Sequence, residues 1–191
     1  MPTKKISLLI TIVVLCLFVA AAQGQTVKRI ISKSDKLDFG AGGTVAVLGA
    51  PRGSIRIEPS MRNEIEVDAE IALEAPSEAD LTMLENVTGF VLREALGKVV
   101  VATVGTNDPK YLKGVSKKFP KRLLGLPYRV DYVIKVPRFC DLQVDGGVGD
   151  ITIVGVEGAM RINSLEGNSK LGLVGGAVNA TFGKGNVDVT M

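Results

Sequence analysis

The chain has no histidine. That removes the side chain most used as a general base near neutral pH and the commonest transition-metal ligand. Neither a Ser-His-Asp nor a Cys-His nucleophile can be assembled. Cysteine is nearly as scarce, with only Cys16 and Cys140. Cys16 follows Val14 and Leu15 inside an apolar run, without the small residues that precede a lipidated cysteine. Once the leader described below is removed with Cys16, Cys140 stands alone and no internal disulfide framework is available. A closed zinc site needs four nitrogen or sulfur ligands and finds one thiol. Cys140 is expected to be a small buried apolar residue. No metal or other cofactor is expected, and most enzyme classes drop out.

A large excess of one charge is missing too. Lys4 and Lys5 open the chain, Ile6 to Ala22 is almost wholly apolar, and small residues follow at Ala20-Ala21-Ala22-Gln23-Gly24. This is the three-part pattern of a secretory signal peptide over residues 1–24, cut after Ala22 or Gly24. Left uncut, the same segment approaches the length of a membrane anchor, and it is the one route to membrane contact expected here. Its removal leaves 21 of the 23 basic residues against 20 acidic ones, a net charge of about +1. No nucleic-acid footprint remains at the level of the domain.

Residues 25–42 are polar and mixed in charge, and read as a linker or a first, weak strand. From residue 43 to 191 the pattern is that of one β-rich domain. Thr44–Leu48, Ser54–Glu58 and Glu64–Leu73 place apolar side chains at every second position, bounded by Gly, Pro and Asn, as half-buried strands do. Glu64, Glu66, Asp68 and Glu70 alternate with Ile65, Val67, Ala69 and Ile71, so those carboxylates form the solvated face of a strand. Ser77, with acidic residues after it, is placed to cap a helix. That helix carries Leu81, Leu84, Val87, Val91 and Leu92 at helical spacing and fades near Gly97. A strand follows at 98–104. Residues 105–129 form a long basic loop with Lys110, Lys113, Lys117, Lys118, Lys121 and Arg122 against Asp108. Long loops in compact domains are commonly functional. Lys113, Lys117, Lys118, Lys121 and Arg122 are the candidate contacts to an anionic surface, against the plainer reading of a solvated excursion.

After the alternating run Val130–Val136 and Pro137, glycine returns every nine residues at Gly149, Gly158, Gly167, Gly176 and Gly185. Two positions later stand Ile151, Met160, Ser169, Val178 and Val187; four later, Ile153, Ile162, Leu171, Ala180 and Val189. Only Ser169 breaks the apolar rule. Thr152, Arg161, Lys170, Asn179 and Asp188 lie between them and face outward. Gly149-Asp150, Gly167-Asn168 and Gly185-Asn186 match more closely at a spacing of 18. The predicted fold is therefore mainly β: a parallel β-solenoid of about 18-residue coils, two strands each, with glycine corners and one covering α-helix. A five-residue strand spans roughly 17 Å, and glycine with Asn or Asp supplies the backbone angles of the corners. One coil cannot bury its inward side chains, but stacked coils can. The calcium-binding nonapeptide roll fits less well. Gly146-Gly147-Val148-Gly149-Asp150-Ile151 puts its aspartate one position early, and later repeats carry Asn168 and Asn186 where calcium wants carboxylates. A hexapeptide solenoid fails because the apolar positions do not recur every six.

The run Val130–Val136, Val136-Pro137, and then Leu142–Ile153 with Val156-Glu157-Gly158 resembles the adhesin-like β-strand-repeat family of exported bacterial proteins. Its members, largely of unknown function, show a strand, Val-Pro, then Gly-Asp-Ile units separated by Val-x-Gly turns. The resemblance spans roughly Gly43 to Met191, with the helix and basic loop least typical and Asn for Asp in the later repeats. It implies architecture and an exported location (periplasmic, cell-surface or extracellular), and it carries no catalytic residue. The expected function is an envelope binding or adhesion-like module without catalysis. Its partner is a cell-surface polymer or another copy of the chain. One alternative is a scaffold assembling through its edges, because the sequence stops inside a strand at Val187–Met191, as a truncated or self-associating solenoid does. The other is a polysaccharide-acting enzyme on a solenoid groove, for which Asp145, Asp150, Arg161 and Lys170 are the candidates.

Overall fold

The computed structural model describes residues 26–40, 42–116 and 118–190. The expected signal segment lies outside them. Strands β1 (Val27–Asp38), β2 (Thr44–Arg52), β3 (Ile55–Ser60) and β4 (Glu64–Ala75) come first. Helix α1 (Glu78–Val87) and strands β5 (Gly89–Ala95) and β6 (Lys98–Val104) follow. Short helix α2 (Pro109–Val115) and a 3-10 turn (Lys121–Leu123) precede β7 (Tyr128–Pro137). The remaining strands are β8 (Asp141–Val148), β9 (Ile151–Val154), β10 (Met160–Glu166), β11 (Ser169–Gly172), β12 (Val178–Lys184) and β13 (Val187–Thr190).

The fold is mainly β, in two mixed sheets. One runs β1-β4-β7-β3-β9-β11-β13 and the other β12-β10-β8-β2-β6-β5. Antiparallel pairing is confined to β1-β4-β7 and β5-β6. Elsewhere pairing is parallel, and after β7 it carries the period seen in the sequence. Leu142 faces Met160 and Met160 faces Val178; Ile151 faces Ser169 and Ser169 faces Val187. Each step is one strand spacing along the stack. Leu142, Val144, Ile151, Ile153, Met160, Ile162 and Leu171 are buried between the sheets. The inward side chains of the last rung are not covered, and Val187 and Val189 are each 46% exposed.

Spatial order departs from chain order at one place. β2 lies between β6 and β8, and β3 between β7 and β9. The first rung made is thus flanked on both sides by later ones. After β7 the chain crosses over that rung before β8 begins. Hydrogen bonds from Gly42 N–H to the Phe139 carbonyl (2.8 Å) and from Asp141 N–H to the Gly43 carbonyl (3.0 Å) hold the crossing.

Three expectations are corrected. Residues 27–38, expected as a linker or a first, weak strand, are no linker but a strand paired with β4 over its whole length. The helix starts where expected, with Ser77 Oγ accepting from Asp80 N–H (3.2 Å), but it ends at Val87. Thr88 is already extended, and Val91 and Leu92 belong to β5, where β6 offers them Ala102 and Val101 as partners. A β-branched and aromatic run beside a free sheet edge gains more from pairing than from one further helical turn. Lys33 from β1 closes the helix, its Nζ donating to the Glu85 and Thr88 carbonyls at 3.0 and 2.7 Å. Third, the basic loop contains α2 and the 3-10 turn, with Leu112 and Leu123 buried.

Ser169, the one polar residue at an inward repeat position, is 3% exposed, and its hydroxyl has no hydrogen-bond partner. An unmatched buried hydroxyl costs about 1–3 kcal/mol. Its neighbours in the column are Ile151 and Val187. Ser169→Val is expected to raise stability by about 1 kcal/mol, measured as a higher urea midpoint at unchanged slope.

Candidate functional site

The five periodic glycines fall in two columns on opposite edges of the stack. Gly149, Gly167 and Gly185 join β8 to β9, β10 to β11 and β12 to β13, and Gly53 occupies the same place between β2 and β3. Gly158 and Gly176 stand on the other edge, stacked on Cys140. The requirement for glycine is steric. A methyl group on Gly53 (φ +120°) would overlap the Val130 carbonyl oxygen, and one on Gly167 (φ +138°) the Gly149 carbonyl oxygen. Cys140 is buried, and burial pushes its thiol up to about 12, with the Asp141 charge adding to it. It is not a reactive thiol.

Beside the first column runs a polar ladder. Asp131 Oδ1 accepts from Ser54 N–H (2.8 Å) and Oγ–H (2.7 Å). Asp150 Oδ1 accepts from Asn168 N–H (2.8 Å), and Asn168 Oδ1 accepts from Asn186 N–H (3.2 Å). Each side chain caps the corner of the next rung, a task that needs an acceptor oxygen and no charge. That is why Asn replaces Asp in the later repeats. Burial pushes the Asp131 carboxyl up, but the Arg129 guanidinium and the Ser54 donors outweigh it and hold the group below its ordinary value.

At the corner between β6 and β7 the tight turn is replaced by a lobe, residues 105–127. Its neck is closed by Thr106 Oγ–H donating to the Leu126 carbonyl (2.8 Å) and Gly125 N–H donating to the Thr106 carbonyl (3.2 Å). Asp108 caps α2 by accepting from the N–H groups of Lys110 and Tyr111. Leu112 and Leu123 are buried and Phe119 and Leu126 pack partly against the core, while Val115 and Leu124 stay exposed. Lys110, Lys113, Lys118 and Lys121 are exposed, and none forms an ion pair among the described residues. Lys117 lies outside the described residues. Arg122 is different: its guanidinium is paired with Asp80, whose side chain is 4% exposed. It fastens the lobe to the first turn of α1.

Next to the lobe, along the Gly53 column, lies an open groove of about 870 Å³ between β1, β4, the start of β7 and the corners at Gly53 and Gly149. Lys28, Arg29, Arg52 and Arg129 line it, with Ile30, Pro127 and Val148 as apolar wall. Lys28 pairs with Glu74 (2.7 Å), Arg29 with Glu78 (2.6 Å) and Glu85 (2.7 Å), and Arg129 with Asp131 (2.7 Å). Arg52 has no carboxylate partner among the described residues. Tyr128 is among the lining residues but is buried, with its hydroxyl end packed against Gly105; burial, and secondarily the Asp108 charge, raises its phenol above its ordinary range. Sequence reasoning missed this groove. Its walls come from residues near 28, 52, 73, 128 and 149, and no local pattern joins them.

The four residues weighed for catalysis do not converge. Asp145 and Arg161 are on β8 and β10 of one sheet, Lys170 is on β11 of the other, and Asp150 sits at the corner. Asp145 accepts from Asn163 Nδ2 (2.6 Å) and Gln143 Nε2 (3.1 Å), and Asp150 caps Asn168. Among the described residues no group of three His, Cys, Asp or Glu side chains is placed to hold a metal ion, and no helix is long and apolar enough to cross a membrane.

No protein-family profile matches the chain, and no curated protein does. Solved structures similar to it include two from bacteria. A candidate cell adhesion protein from Clostridium sporogenes ATCC 15579 has 10% identity over 85% of this chain and 99% of its own, with a TM-score of 0.46. A candidate adhesin from Bacteroides fragilis NCTC 9343 has 8% identity over 85% of this chain and 97% of its own, with a TM-score of 0.27.

Proposed function

We propose that this chain is an exported, non-catalytic binding module of the cell envelope, adhesion-like in role, which holds a basic lobe against an anionic surface polymer. The frame is read as a β-solenoid: parallel registers repeat at 18 residues in both sheets, and the corner glycines stack from rung to rung. Export rests on the apolar leader with its two lysines. The absence of histidine and the scatter of the four residues weighed for catalysis favour binding over catalysis.

The observation that carries the reading is the mounting of the lobe. Leu112 and Leu123 are buried and Arg122 is tied to Asp80, so the exposed lysines are held out on an ordered support. Exposed cations on such a support raise the local concentration of a polyanion, and salt screens the attraction over about 8 Å at physiological ionic strength. Retention on isolated cell envelopes is expected to fall as salt rises. It is expected to drop at least tenfold in a Lys113→Glu, Lys118→Glu, Lys121→Glu chain. Retention that is unchanged by the substitutions and insensitive to salt overturns the reading. A scaffold assembling through β12 and β13, whose inward Val187 and Val189 are uncovered, predicts instead that mass in sedimentation rises with concentration.

A further inference from the structure

We infer that the groove beside the lobe is a binding site for an anionic sugar polymer, with Arg52 as the anchor for its acid group. This deepens the binding-module reading and rests on it. The groove contains four cations, and three of them are already matched by Glu74, by Glu78 with Glu85, and by Asp131. Of the two acidic residues that line it, Glu74 pairs with Lys28, while Asp150 accepts from the Asn168 N–H through Oδ1 and keeps its charge at the Gly149 corner. Among the described residues, Arg52 is the lining cation that forms no ion pair with a carboxylate. Its planar fork suits a carboxylate or phosphate bound by two parallel hydrogen bonds.

The rest of the lining decides what carries the anion. Ile30 is 65% exposed and Val148 42% exposed, and both stand in the groove wall with Pro127. Flat apolar surface beside an acid-binding group matches a sugar ring, which has an apolar face of C–H groups and a rim of hydroxyls. The ladder side chains of Ser54 and Asp150 offer acceptors for that rim. At about 870 Å³ and open along its length, the groove takes a run of several sugars rather than enclosing one. Arg52 is also well supported. Arg52 pairs in register with Val148, and Gly53 N–H donates to the Val148 carbonyl (3.0 Å), so the backbone under the guanidinium is fixed.

The acid group has two chemical sources, a uronate carboxylate or a phosphodiester, and the test has an arm for each. The probes are an oligogalacturonate, a phosphodiester-linked hexose oligomer and a neutral cello-oligosaccharide of similar length, titrated calorimetrically at 0.15 M salt. Binding of either anionic probe with none of the neutral one is expected, and the probe that binds names the acid. Arg52→Glu is expected to weaken that binding at least tenfold and Arg52→Lys about three- to fivefold, because lysine keeps the charge and loses the fork. Ile30→Ser is expected to weaken it severalfold without altering its salt dependence. Arg52 and Ile30 are exposed, so all three variants should keep the parent melting temperature. The lobe variant at Lys113, Lys118 and Lys121 should retain oligosaccharide affinity within about threefold. Failure of both anionic probes, equal binding of the neutral probe, or indifference to Arg52→Glu overturns the inference. If envelope retention still depends on the lobe lysines in that event, the broader reading stands and only the groove assignment falls.

Discussion

Gly53→Val is expected to leave little folded protein. The corner glycines carry the stack: each presses its α-carbon onto the backbone of the adjacent rung, and Gly53 sits where β2 and β3 are flanked on both sides. A side chain there must displace the Val130 carbonyl, open the hydrogen bond from Gly53 N–H to Val148, and adopt a positive φ that a β-branched residue avoids. Backbone strain contributes roughly 1–3 kcal/mol and forced overpacking roughly as much again. Together they approach the roughly 5–15 kcal/mol that separates a domain from its unfolded state. The same substitution should cost less along the stack. Gly185→Val meets the Gly167 carbonyl just as closely, but its rung has only one neighbour and an exposed inward face. In a stack whose stability sums nearest-neighbour terms, that change frays one rung. Urea unfolding of Gly53→Val, Gly167→Val and Gly185→Val should give losses in descending order, and equal losses at all three would contradict the stacked arrangement.

The second large effect is expected from Arg122→Ala. In the sequence Arg122 looks like the last of a row of basic residues on a loop. In the structure it neutralises Asp80, which is almost wholly buried at the first turn of α1. Removing the partner of a buried carboxylate costs about 3–5 kcal/mol in a closed interior. The favourable end of the helix and the exposure of Arg122 bring the figure here to about 2 kcal/mol. Because the pair joins the lobe to α1, the loss should be accompanied by faster hydrogen exchange in residues 106–126. Asp80→Asn in the same chain removes the stranded charge and should recover about half the stability. A loss below about 0.5 kcal/mol for Arg122→Ala alone would mean the pair is an ordinary surface bridge.

How much was legible depended on the range of the interaction concerned. Alternation of Ile, Val and Leu with polar residues placed β3, β4 and the core of β7 correctly, since a half-buried strand imposes its period of two on every residue. The spacing of 18 was legible because parallel stacking in register repeats one environment at one interval. The helix was overextended through Val91 and Leu92 because helical spacing and the approach of β6 compete there, and only the second is non-local. β1 was read as weak because its inward positions include Arg29 and Lys33, which pair with α1 rather than with a core. The candidate site divides in the same way. The exposed lysines of the lobe were evident as a charge run, whereas the role of Arg122 depended on Asp80, 42 residues away.

By itself the sequence determined the strand-forming period, the glycine corners, the scarcity of cysteine and the absence of histidine chemistry. Each is a property of one residue or of neighbours at a regular interval. Only the tertiary structure decided that the first rung lies in the middle of the stack, that Arg122 is a fastening, and that Arg52 lines a groove with no ion-pair partner among the described residues. Those outcomes depend on which distant segments arrive side by side. That is settled by the packing of the whole chain, because charges and carbonyls far apart along it become partners only when their rungs are stacked.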